Sequence, residues 1–224
     1  MTYLDESWFW PVLEHYRSHD GRTVEEVENA WLRASGISVD ASARMISDRQ
    51  WRLSPKSEQA GRNVIQLIEA FQHPTDAFTY LEFGTCFGTT IASVLRRFDN
   101  ARGIGLEVNP ARFEISCWLT KRMRTDFHIA DRLTLMQMDV RNAPLQPDSI
   151  DIVFMDTNHC YPDDYEYIMH LLNGNVLRKG FLFIGDDPLH TGTNLAREHF
   201  IRQHSASYRI ITRADKNLWW FFAR

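Results

Sequence analysis

At 224 residues, with 44% hydrophobic and 24% charged residues and a formal net charge of -4, the sequence has the size of one domain with an appendage and the composition of a soluble globular chain. That charge gives no footing for nucleic acid or an anionic membrane. Three cysteines, Cys86, Cys117 and Cys160, odd in number and without CxxC spacing, argue against a disulfide framework and point to a reducing cytoplasm.

The opening "MTYLDESWFWPVLEHYRSHD" has early acids and no basic stretch before an apolar core, and no window reaches membrane-spanning length, so a mature, soluble N-terminus is expected. Up to about Pro74 the pattern is helical. Leu4, Trp8, Val12 and Tyr16 share a face, and "TVEEVENAWLRASG" has a Thr cap, early acids and a closing Gly. "SPKSEQAGRNVIQLIEAF" predicts a third helix with Ser54 as cap and Pro55 in its first turn.

After Pro74 the period changes. "FTYLEF", "ARGIGLEV", "LTLMQMDV", "IDIVFMD" and "GFLFIGDD" predict strands, and the segments near 88–98, 110–126, 162–177 and 192–204 predict helices. "YRIITRA" and "NLWWFFAR" add two strands around a turn at Asp215 and Lys216, with Trp219 to Phe222 reading as a strand buried on both faces. The alternation predicts a mostly parallel sheet of seven strands with helices on both faces. An N-terminal helical region, 1–53, precedes a ligand-binding domain, 54–224; its Trp8, Phe9, Trp10 and Trp31 suit a substrate lid or a homodimer interface.

In such a sheet, ligands lie beyond the carboxyl ends of the strands. Gly84 and Gly88 stand between the first strand and its helix, where missing side chains let a ligand approach the backbone and the helix N-terminus. The second strand ends in Glu107, at a spacing that suits ribose hydroxyls, and the third ends in Asp139, near a base. The loop from Glu82 through Gly84, Thr85, Gly88 and Thr89 to Thr90 reads ExGxxxGxT, without the GxGxxG of a dinucleotide fingerprint. It resembles the first motif of the class I S-adenosylmethionine-dependent methyltransferases, from roughly Ser54 onward. The resemblance implies their Rossmann-like α/β fold, with Glu82 and the glycines facing the cofactor's amino acid and ribose. The bland alternative is an ordinary tight turn.

Asp156 ends the fourth strand and Asp186 and Asp187 the fifth. Consecutive strand residues face opposite ways, so this pair converges only if the strand stops there, which Pro188 encourages. Three acids on adjacent tips repel unless a cation lies among them, and hard oxygen donors suit Mg²⁺ or another divalent ion. The pattern is similar to the metal-dependent O-methyltransferases of the catechol and caffeoyl-CoA type, and more so to the macrocin O-methyltransferase type of natural-product pathways. That likeness implies Asp156, Asp186 and Asp187 as metal ligands, with Asp156 also beside the cofactor, and His159 as the base on a small hydroxylated substrate. A sulfonium methyl group is displaced in line, so the acceptor oxygen must be placed and deprotonated, and a neutral imidazole can take that proton.

Plainer roles stand beside these. His159 could cap the next helix or pair with Asp163 or Asp164, Asp187 could be a turn residue, and His190 either lines the site or is solvated. Tyr161 reads as packing, and Cys160 has no activating neighbour. The rival functions are a metal-independent N- or C-methyltransferase, an NAD oxidoreductase and a non-catalytic cofactor-binding protein.

Overall fold

A computed structural model describes residues 55–71, 76–86, 88–110, 112–113, 116–117, 129–213 and 217–223. The expected N-terminal helices, Ser54 and the turn at Asp215 and Lys216 lie outside the described residues. Helix α1 (Pro55–Phe71) starts at a proline, whose missing N–H is no loss in a first turn, and buries Val64, Ile65 and Ile68 on one stripe. It leads to β1 (Phe78–Phe83), α2 (Thr89–Arg97) and β2 (Ala101–Leu106). Then follow β3 (Leu133–Met136), β4 (Ile150–Met155), α3 (Asp163–Asn173) and β5 (Leu177–Asp186). Helix α4 (Thr191–His204) and the strands β6 (Tyr208–Arg213) and β7 (Leu218–Ala223) complete the set. Of the helix expected over 110–126, Pro110, Arg112, Phe113, Ser116 and Cys117 are described and helical.

One sheet of seven strands runs β3-β2-β1-β4-β5-β7-β6, and β7 alone runs against the direction of the other six. This is the expected layout of a mostly parallel sheet, with the order reversing between β1 and β4. Apolar side chains on alternate strand positions divide between two cores. Tyr80, Phe154 and Ile184 pack with α1 and α2 on one face, while Phe83, Val153, Phe183 and Phe221 pack with α3 and α4 on the other. The inner half of β5, from Phe181 to Asp186, is buried at every position because both faces are covered.

Several boundaries shift for local reasons. Strand β5 begins at Leu177, ahead of the expected Gly180, because Val176 and Leu177 are buried and a bulge at Gly180 (φ 84°) absorbs the exposed Arg178 and Lys179. β2 and β3 stop at Leu106 and Met136, short of Glu107 and Asp139, whose carboxylates organise loops. Arg132 donates to the carbonyls of Leu95, Phe98 and Ala101, satisfying the end of α2 and the turn into β2.

Phe154 lies in central strand β4 and is 1% exposed. Phe154→Ala is expected to lower unfolding free energy by about 3–5 kcal/mol in urea melts, the cost of an aromatic-sized cavity; a loss below about 1 kcal/mol would contradict the packing described.

Candidate active site

The loop between β1 and α2 is fixed by contacts that only particular residues permit. A Cβ on Gly84 would stand 1.6 Å from the carbonyl oxygen of Asp156, and its φ of 85° is one that glycine adopts freely. The N–H groups of Gly84 and Thr85 both donate to the carbonyl of Leu106, at 2.9 and 3.2 Å, so the loop is tied to β2 as well as lying on β4. Gly88 (φ 72°) turns the chain into α2 and offers no side-chain cap, and the first turn of α2 holds no acid. Among the described residues no acid of its own therefore neutralises this helix N-terminus, which suits a negatively charged ligand group. Thr85 Oγ1 is buried without a hydrogen-bond partner among the described residues. Thr89 is the first residue of α2, and Thr90 follows it.

Glu107, 3% exposed, closes the other side of this loop. Its Oε2 accepts from Cys86 N at 3.0 Å and its Oε1 from Asn109 N at 2.9 Å. Each oxygen keeps a further lone pair. The same carboxylate thus shapes the loop and still has acceptor capacity. Asp139 is more committed: it caps a 3-10 turn (Val140–Asn142), accepts from Arg141 N, Nε and Nη2 at 2.8, 3.0 and 2.7 Å, and receives a longer bond from Tyr167 Oη at 3.4 Å. The Arg141 side chain, more than any other neighbour, holds this carboxyl below the usual range. Asp139 therefore stands three residues beyond the end of β3, paired with a guanidinium.

The acids form a row across the strand tips. Register pairs Phe83 with Met155 and Met155 with Gly185, so Asp156 and Asp186 emerge side by side one residue further on. They lie on the sheet face that carries Glu82, which accepts from Tyr80 Oη at 2.9 Å. Burial raises the pKa of Glu82 to about 8, with the Tyr80 hydroxyl opposing, and that of Asp186 to about 7, aided by the charge of Asp187. Asp156 opens 40% of its side-chain surface to the cleft, yet desolvation and the charges of Asp186, Glu82 and Asp187 push its pKa well up.

Asp187 breaks the alternation. Its φ of 43° ends β5, a turn closes from His190 N to its carbonyl at 3.0 Å, and its carboxylate swings toward the loop after β4. There Asp156 Oδ1 and Asp187 Oδ2 each stand 3.5 Å from His159 Nε2. Desolvation lowers the His159 pKa, while Asp187 and Asp164 pull it up and His190 lowers it. The far side of the ring meets Thr193 Oγ1, 3.2 Å from Nδ1, and that hydroxyl donates to buried Asp164 at 3.1 Å. His159 takes no capping position on α3, whose N-cap is Pro162. His190 is exposed at the N-cap of α4, with its ring 5.2 Å from that of His159. Tyr161 is 45% exposed and contacts His199, and none of the three cysteines is in a disulfide among the described residues.

Loop and acids thus meet at the strand order reversal, joined at Asp156. Asn217, at the start of β7, was not singled out from sequence; its amide contacts both Asp186 and Asp187. Nor was Thr193, which α4 brings in because Gly192 lacks a Cβ that would lie 1.9 Å from the His159 carbonyl oxygen. Among the described residues, no three His, Cys, Asp or Glu side chains are already gathered in a metal-holding arrangement. No described helix is long and apolar enough to cross a membrane.

No protein-family model matches the chain, and no curated protein sequence does. Solved structures do. A Podospora anserina methyltransferase bound to S-adenosylhomocysteine superposes with a TM-score of 0.59 at 14% identity, covering 100% of this chain and 98% of that one. An O-methyltransferase from Bacillus cereus, also in complex with S-adenosylhomocysteine, gives 0.57 at 17% identity over 94% and 96% of the two chains. A precorrin-6y C5,15-methyltransferase from Geobacter metallireducens gives 0.53 at 16% identity over 71% and 86%. The chain therefore has the Rossmann-like fold of the class I S-adenosylmethionine-dependent methyltransferases.

Glu82 makes folding pH-dependent without ligand. Its folded pKa, about 8, lies above its ordinary value of 4.5, so between those values the folded chain keeps a proton that the unfolded chain has released. Stability is thus expected to fall as pH rises through this window, by up to about 1.4 kcal/mol per pH unit for one such group. Glu82→Gln, neutral throughout, is expected to lose Glu82's share of the slope between pH about 5 and 8, leaving that of Asp156 and Asp186; unfolding free energies with the same slope in both proteins would contradict a proton held on Glu82.

Proposed function

We propose that the chain is an S-adenosylmethionine-dependent O-methyltransferase that methylates a hydroxyl of a small molecule with the help of a divalent cation, Mg²⁺ or another. The observation that carries this reading is the approach of Asp156 and Asp187 to His159 Nε2, 3.5 Å each, beside the glycine loop.

For the cofactor, the fit rests on the backbone cradle at Gly84 and Gly88, the unpartnered Thr85 hydroxyl and the remaining lone pairs of Glu107. Glu107 would accept from ribose hydroxyls, the loop would take the amino-acid portion, and Glu82 supplies an acid beneath it. Asp139, held by Arg141, would border the base. For the cation, the donor chemistry fits: three carboxylates, Asp156, Asp186 and Asp187, suit a hard ion, and the pKa values of Asp156 and Asp186, raised first by burial and then by neighbouring carboxylates, belong to groups whose ionised form a positive charge would stabilise. When bound, such an ion lowers the pKa of a coordinated hydroxyl and fixes its direction. His159 would accept the hydroxyl proton at Nε2, and its lowered pKa keeps it neutral for that task. Exposed Val108, Tyr161, Leu189 and Leu195, in and beside segments following the strand ends, support an acceptor with an apolar body, such as a natural-product intermediate.

A metal-independent N- or C-methyltransferase is the second reading. It is favoured by one observation, the lack of a preassembled three-ligand group among the described residues.

Calorimetry is expected to give binding of S-adenosylmethionine and none of NAD, with Glu107→Ala weakening the former by about 10- to 100-fold, the scale of a hydrogen-bonded charged group. NAD binding, or an unaffected variant, would overturn the cofactor reading. Mg²⁺ is expected to raise the melting temperature of the wild type and not of Asp156→Asn. No shift with Mg²⁺, Mn²⁺ or Ca²⁺ at millimolar concentration would move the assignment to the metal-independent reading.

A further inference from the structure

The two nitrogens of His159 face different chemistry. Nε2 looks into the cleft, while Nδ1 lies 3.2 Å from the hydroxyl of Thr193, a residue with no exposed surface on the first turn of α4. That hydroxyl donates to Oδ2 of Asp164 at 3.1 Å, and the Thr157 hydroxyl donates to Oδ1 at 2.5 Å. Asp164 is itself fully buried. We propose that Thr193, held by Asp164, is a positioning residue that locks the neutral His159 ring in its Nδ1–H tautomer and leaves Nε2 bare toward Asp156 and Asp187. The use of that bare nitrogen rests on the reading of His159 as base; the tautomer itself does not.

Proton counting gives the direction. An ionised carboxylate only accepts, and a hydroxyl has one proton, so the Thr193 proton spent on Asp164 leaves only oxygen lone pairs toward Nδ1. Two lone-pair atoms at 3.2 Å would repel; a proton on Nδ1 turns the contact into a hydrogen bond. On the opposite side, each carboxylate oxygen is 3.5 Å from Nε2, beyond the usual N–H···O range, so neither offers an equivalent bond to an Nε2 proton. The remaining neighbour, His190, is 5.2 Å away between ring centres. The hydroxyl contact therefore sets the tautomer, as partners behind a working imidazole do elsewhere.

The test is a long-range ¹H–¹⁵N correlation spectrum of the full ¹⁵N-labelled chain, with the imidazole neutral and His159 assigned through His159→Gln. Wild type is expected to show a pyrrole-type Nδ1 and a pyridine-type Nε2 in about tenfold excess, the ratio that about 1.4 kcal/mol provides. Thr193→Val, close in shape but without the hydroxyl, is expected to lose this preference, and Thr193→Ser to restore it. Asp164→Asn can donate to Thr193, freeing its proton for Nδ1, and is expected to shift His159 toward the Nε2–H form. A predominantly Nε2–H wild type overturns the inference even if Thr193→Val fails to fold, and so does a wild-type spectrum in a folded Thr193→Val. The second result leaves the base role untouched, and the first confines it to the minor fraction of rings with a bare Nε2. Conversely, undiminished methyl transfer by His159→Ala removes the base role and leaves the tautomer assignment intact.

Discussion

A single close approach organises this molecule. Gly84 lies so near the end of β4 that any side chain there would overlap the Asp156 carbonyl, while its own N–H reaches across to the carbonyl of Leu106. Three adjacent strands, β2, β1 and β4, are thereby held at one level where their carboxyl ends meet the loop. The loop and the acid row cannot move independently, because Asp156 belongs to both. A backbone contact between packed elements resists displacement far more than a salt bridge on flexible side chains.

The second constraint is electrostatic. Glu82, Asp156 and Asp186 share one sheet face, and two of them are almost entirely removed from water. Such a row gains nothing for folding. Native structures retain costly groups of this kind chiefly at working sites, where a ligand supplies the missing charge or hydrogen bonds. Contrast Asp151 in the same strand as Phe154: it meets Arg178 and the N–H of Thr79, a satisfied pair at the opposite end of the sheet. The polarity of the molecule lies between these two ends, one neutralised and one left demanding.

Much of this was legible in sequence. The alternating apolar runs located every strand, and β1 matched at both ends, because a buried parallel strand has few polar residues to obscure it. The strand-end acids were visible for the same reason, as the first charges after apolar runs. What was hidden depends on contacts between distant segments. Asn217 reaches Asp186 and Asp187 only because β7 inserts between β5 and β6, and Thr193 reaches His159 only because α4 packs against the loop after β4. The early start of β5 was masked by Arg178, Lys179 and Gly180, which interrupt the apolar pattern on an outer segment. Asp139 is the local counterpart: its partner, Arg141, is two residues away in the sequence, in an Asx-type turn.

The insertion of β7 has a consequence for how the chain is made. Asp186 faces Leu218 across the sheet, and the Asn217 amide contacts the acid pair, yet about thirty residues, including all of α4 and β6, separate them along the polypeptide. During synthesis, β1 to β5 can form their parallel pairings as they emerge, but the acid tips stay without their lateral support until β7 leaves the ribosome, on the order of seconds later. Through that interval the repelling carboxylates are free to splay apart and remain hydrated. The acid tips therefore gain their β7 neighbour last along the polypeptide, and with it β6, whose partner in the sheet is β7.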